Sequence, residues 1–135
     1  MKHLTEYYNQ IVEKAVAAGE KALYECIPTP QTFYSADLND KPFGEIGPPD
    51  PEGDCGGAYI TGINGNDPFV KWAKIYNPKL ITKGIYKGYD ILGLTNRMSK
   101  TYRGQSAERY AAFARAAAKV LNEHGIKCGV KTYLS

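Results

Sequence analysis

Hydrogen-bond donors are densest between residues 97 and 106, where Arg97, Ser99, Lys100, Thr101, Tyr102, Arg103, Gly104, Gln105 and Ser106 stand almost in succession. Ser106 directly precedes an alanine-rich apolar pattern, so these side chains gather where a helix begins. A helix start carries unpaired backbone N–H groups and about half a positive charge. Gly104 leaves room for close approach, and Arg97 and Arg103 bring planar forks that match phosphate or carboxylate. The chemistry expected is anion recognition, with Arg97, Lys100, Arg103, Gln105 and Ser106 on phosphate groups. Eleven tyrosines and one tryptophan supply flat faces, and Trp72, Tyr89 and Tyr102 are the candidates to stack a base. Alternatively, Ser106 only caps its own helix and the tyrosines fill half-buried strand positions. No Walker or dinucleotide-binding glycine pattern is present.

Other chemistries find weaker support. Asp54-Cys55-Gly56-Gly57 places a cysteine beside glycines at a strand entry, but a nucleophile there needs a base, and His3 and His124 are the only imidazoles. Cys26, Cys55 and Cys128 are odd in number and far apart, which suits reduced thiols and lacks the paired spacing of a zinc site. Carboxylates for acid–base work would come from Asp37, Asp40, Glu45, Asp50, Glu52 and Asp54, all in a Pro/Gly-rich stretch that supports them poorly. Neither a catalytic residue nor a metal or cofactor site is assigned.

The elements that must position these groups follow from periodicity. Leu4, Ile11, Val12, Ala15, Val16, Ala22 and Leu23 recur at a 3.6-residue period, predicting a helix over about 3–25. Gly19 weakens it by about 1 kcal/mol relative to Ala. Residues 28–56 hold six of the eight prolines and read as a long loop, with a short extended piece at 31–34. Residues 57–63 alternate as a strand. Asp67-Pro68 opens a short helix that ends before Asn77-Pro78, and residues 80–86 and 89–94 read as a hairpin about Lys87-Gly88. The donor-rich stretch 95–104 lacks periodicity and reads as a loop. Ser106 begins a helix closed by Gly125 and Ile126, and a final strand runs to about Tyr133. The expected fold is α+β: about four mostly antiparallel strands with helices packed on one face, preceded by an N-terminal helix (1–27) and the Pro/Gly-rich acidic loop (28–56). The whole, 1–135, is read as a single domain with its core in 57–135.

Charge is unevenly spread along this frame. Residues 1–56 carry 4 Lys+Arg and 10 Asp+Glu, whereas residues 57–135 carry 13 and 4. An anionic ligand is therefore sought in the second half, unless the two halves neutralise each other. No apolar run approaches the roughly 20 residues of a membrane span, and no signal-peptide core follows Met1. Fibrous and wholly disordered classes do not fit a composition that is 43% hydrophobic and 23% charged. A soluble protein of the host cytoplasm without a membrane partner is expected.

Cys55-Gly56-Gly57-Ala58-Tyr59-Ile60, the segment 69–76, Gln105-Ser106, the segment 114–121 with Gly125-Ile126, and the terminal Tyr133-Leu134-Ser135 resemble a group of small phage- and prophage-encoded accessory proteins. The resemblance covers about 55–135 and implies a viral origin with no established activity. Proteins of that kind commonly act by stoichiometric binding. The expectation is a non-enzymatic, homo-oligomeric binding protein of a phage or mobile element, acting in counter-defence, that sequesters a phosphate-bearing small molecule such as a signalling nucleotide. Two alternatives are a protein–protein inhibitor of a host defence effector, anti-CRISPR-like with the acidic loop imitating nucleic acid, and a nucleic-acid-binding protein.

Overall fold

The apolar stripe of the first segment becomes helix α1 (Thr5–Glu25) in a computed structural model of the chain, entered through a 3₁₀ turn at Lys2–Leu4. The structure describes residues 1–28, 56–84, 87–102, 104 and 106–134, and the backbone of 34–36 and 42–45. Within the Pro/Gly-rich stretch those two backbone pieces pair antiparallel as β1 (Tyr34–Ala36) and β2 (Pro42–Glu45), two short strands where only a loop and an extended piece were expected. The acids Asp37, Asp40, Asp50, Glu52 and Asp54, with Cys55, lie outside the described residues.

The glycine-led segment forms β3 (Gly56–Thr61). Asp67 then accepts a 2.8 Å hydrogen bond from the Phe69 N–H and starts α2 (Pro68–Tyr76), as the Asp-Pro pair predicts. After a 3₁₀ turn at Pro78–Leu80 come β4 (Thr82–Lys83) and β5 (Tyr89–Asp90). They are far shorter than the expected hairpin, because the chain turns helical at Leu92. Helix α3 (Leu92–Thr101) occupies most of the stretch read as a donor-rich loop. The reason is a helical stripe hidden among polar residues: Ile91, Leu94 and Met98 are buried at i, i+3 and i+7, while Asn96, Ser99 and Lys100 face out. Helix α4 (Ala107–Glu123) and strand β6 (Gly129–Leu134) complete the chain. The end of α4 is closed as predicted. Gly125 has φ +83°, its N–H reaches the Asn122 carbonyl at 3.0 Å, and the Ile126 N–H reaches Leu121 at 2.9 Å.

The fold is mixed α+β. β3 and β6 pair antiparallel over six residues, from Gly56↔Leu134 to Thr61↔Gly129, and β4 pairs antiparallel with β5. A bridge between Ile63 and Tyr89 and a 3.1 Å bond from the Ile91 N–H to the Ile60 carbonyl tie the two ladders together. Helices α3 and α4 pack on the face of β3 that carries Ala58 and Ile60, with Leu94, Met98, Phe113 and Ala114 against it. Helix α1 lies on α4, contributing Ile11, Ala15, Val16 and Leu23 to the same core. Among the described residues, no helix is long and apolar enough to cross a membrane.

Gly19 decides how closely α1 and α4 approach. A Cβ there would stand 2.8 Å from the ring of Phe113, which is itself buried. An exposed helical Gly→Ala exchange gains about 1 kcal/mol; here the ring has little room to yield, so Gly19→Ala is expected to destabilise by about 1–3 kcal/mol. Urea unfolding of the two proteins checks this, and a variant as stable as the parent or more so removes the close-contact account.

Candidate functional site

Arg97 is the first anchor, and its place follows from α3 lying across α1. The polar face of α1 presents Glu13, Glu20 and Tyr24 one and two turns apart, and α3 meets them residue by residue. Arg97 donates from both terminal nitrogens to Glu13, at 2.8 and 3.3 Å. The Thr101 hydroxyl can donate to the Arg97 carbonyl at 2.9 Å or to Glu20 at 3.2 Å, and the Tyr24 hydroxyl donates to the Thr101 carbonyl at 3.3 Å. The Arg97 hydrogen bond holds the Glu13 carboxyl below the usual carboxylate range. Both side chains are largely exposed, 42% and 63%, so the pair adds well under about 1 kcal/mol of stability.

A groove of about 320 Å³ opens beside that ion pair, between α1, the Pro78–Leu80 turn and α3. Lys79, Arg97 and Lys100 line it together with the carboxamides of Asn9, Asn77 and Asn96, over a floor that includes Val12, Leu80 and Gly93. Among the described residues that line it, three cations face one carboxylate, Glu13, which leaves two positive charges in excess. Carboxamides add directional donors and acceptors without adding charge.

The other expected site residues are distributed differently. Ser106 is 1% exposed and its hydroxyl accepts from the Arg109 N–H at 3.3 Å, so it caps α4. Gly104 and Ser99 line a separate hollow of about 350 Å³ beside Gly56 and Gly57 of β3, with Tyr110 and Tyr133. The Tyr110 hydroxyl spans the Tyr102 and Gly104 carbonyls, and its pKa is raised by burial and by Tyr133. Tyr102 is held between the Tyr110 ring, 5.4 Å away, and the Arg109 guanidinium, 5.7 Å from its centroid. Arg103 and Gln105 lie outside the described residues. Trp72 is fully buried among Tyr8 and Phe69, and its indole N–H donates to Thr5 Oγ1 at 3.0 Å; it offers no face to a ligand. Tyr89 carries the Lys74 ammonium 4.7 Å over its ring, with Gly65 close by.

The structure thus brings Arg97 and Lys100 into one groove and leaves Tyr102, Gly104, Ser106, Trp72 and Tyr89 elsewhere. No match to a family model, a curated protein or a solved structure was found. The groove takes its remaining polar groups from Asn9, Glu13, Asn77, Lys79 and Asn96, none of them among the expected site residues. Asn77-Pro78 signalled only a helix end, and Asn9 lies off the apolar stripe of α1.

Among the described residues, no three His, Cys, Asp or Glu side chains gather as metal ligands would. Cys128 is tied into the end of α4, where Asn122 accepts from its N–H at 3.1 Å and donates to its carbonyl at 3.1 Å. Burial, helped by the Asp67 carboxylate, pushes its thiol up to about 11. The thiolate is the reactive form, so Cys128 in the folded protein is expected to resist iodoacetamide at pH 8 and to label as the pH approaches 11. Mass spectrometry of the labelled peptides reads this directly; rapid labelling at pH 8 without unfolding removes the burial account.

Proposed function

We propose that the chain is a non-enzymatic binding protein that takes a phosphate-bearing small molecule in the groove between α1 and α3. The observation that supports it best is the lining of that groove: Lys79, Arg97 and Lys100 with three asparagine carboxamides, against a single acid. Phosphate oxygens suit this mixture, since Arg97 offers a planar fork, the lysines offer point charges, and the carboxamides offer donors that fix orientation. Glu13 plays a definite part in this reading. It holds Arg97 in position and competes with an incoming anion for the same guanidinium. Action as a stoichiometric sequestering agent, in phage counter-defence, belongs to the same proposal and rests on the resemblance carried by residues 55–135.

Isothermal titration with tripolyphosphate and a panel of nucleotides tests the reading. Lys79→Ala combined with Lys100→Ala is expected to weaken binding by about tenfold or more, as the loss of charge-assisted hydrogen bonds predicts. Glu13→Gln is expected to tighten it several-fold by releasing Arg97. Flat traces for every anion, or affinities indifferent to both lysines, overturn the proposal.

A further inference from the structure

Asn9 and Glu13 line two hollows at once. On one side of them is the cationic groove. On the other, a wider depression of about 750 Å³ lies between the first turns of α1 and Tyr76 at the end of α2. The two adjoin along the polar face of α1, where Asn9 and Glu13 border both, and the ends of this trough differ in chemistry. Lys79, Arg97 and Lys100 stand at one end. At the other stands Tyr76, 42% exposed, whose phenol ring is the larger flat face there beside the His3 imidazole.

Glu6 and Gln10 share the Tyr76 end, one helical turn apart, with the Gln10 amide donating to Glu6 at 3.4 Å. A carboxylate and a carboxamide are the groups that read the N–H and C=O edge of a nucleobase. In that hollow Glu6 balances Lys2, beside His3, and Glu13 is already paired with Arg97, so the excess positive charge that draws phosphate lies at the far end. Glu6 and Glu13 are seven residues apart, about 10 Å along the helix axis. That spacing separates a base from the end of its own phosphate chain, and inorganic phosphate cannot bridge it.

Resting on the anion reading above, we infer that the trough holds a single nucleoside polyphosphate. Its base lies on the Tyr76 ring with its edge toward Glu6 and Gln10, and its phosphates meet Lys79, Arg97 and Lys100. The charge difference along α1 sets the orientation: a flat, uncharged body at the balanced, ring-bearing end and a polyanion at the cationic end.

Titration of the full chain with tripolyphosphate, the four common ribonucleoside triphosphates and a short single-stranded oligonucleotide tests the inference, with Tyr76→Ala and Tyr76→Phe beside the parent. At least one nucleoside triphosphate is expected to bind about tenfold or more tighter than tripolyphosphate. Tyr76→Ala should erase that advantage and Tyr76→Phe, which keeps the ring, should retain it, while tripolyphosphate binding stays the same in all three proteins. Tripolyphosphate binding with no nucleoside advantage, or an advantage that survives Tyr76→Ala, overturns this inference and leaves the anion reading standing. An oligonucleotide bound more tightly than any mononucleotide overturns it in favour of a nucleic-acid partner. Silence from every probe overturns both.

Discussion

The close contact of α1 with α4 is the constraint on which the rest of the structure depends. Gly19 faces the buried Phe113 ring, while Ala15, Ala114, Ala117 and Ala118 keep the facing surfaces small. Short side chains allow helix axes to approach, and the large residues are then displaced to the flanks. Tyr8, Phe69 and Trp72 fill one flank as a tilted aromatic cluster with centroids 5.1–5.9 Å apart. The ladder of β3 and β6 closes another side of α4. The N-terminal helix is therefore part of the core, joined across the chain to an element that begins about a hundred residues later.

Burying one face of α1 turns its opposite face into a surface feature. Asn9, Glu13 and Glu20 cannot enter a core of alanines and aromatics, so they point toward whatever is laid alongside, and α3 is laid there. The ion pair and the Thr101 hydrogen bonds set the register of α3 against α1, although each contributes little energy in so exposed a place. The groove is the space left between two helices that meet through polar tips and a short turn that carries Lys79.

Charge asymmetry between the two halves of the chain is partly answered within the molecule. Glu13 from the acidic half meets Arg97 from the basic half, and Glu20 lies beside Thr101. What remains after this pairing is more informative than the net charge, because two lysines stand beside an arginine whose geometry is already set by an internal carboxylate. That carboxylate occupies both terminal nitrogens of Arg97, so the lysines carry the charge that is left over.

Much of the local architecture was legible in the residues. The α1 stripe, the Asp67-Pro68 start of α2, the Ser106 cap and the Gly125-Ile126 closure depend on side chains within one or two turns of the groups they satisfy, and each is found where those residues put it. Helix α3 was missed because its stripe of Ile91, Leu94 and Met98 is brief, lies among polar residues and follows a tract rich in tyrosine and β-branched residues. The site was legible only at Arg97 and Lys100. By itself, the sequence determined the elements with local stop signals and the basic bias of the second half, since both depend on neighbours in the chain. Only the tertiary structure decided that Trp72 and Ser106 are buried, that Asn9 and Lys79 line one groove with Arg97, and that Tyr76 lines the hollow adjoining it. Those positions come from helices packing across separations of some twenty to eighty residues, and no short-range propensity encodes that register.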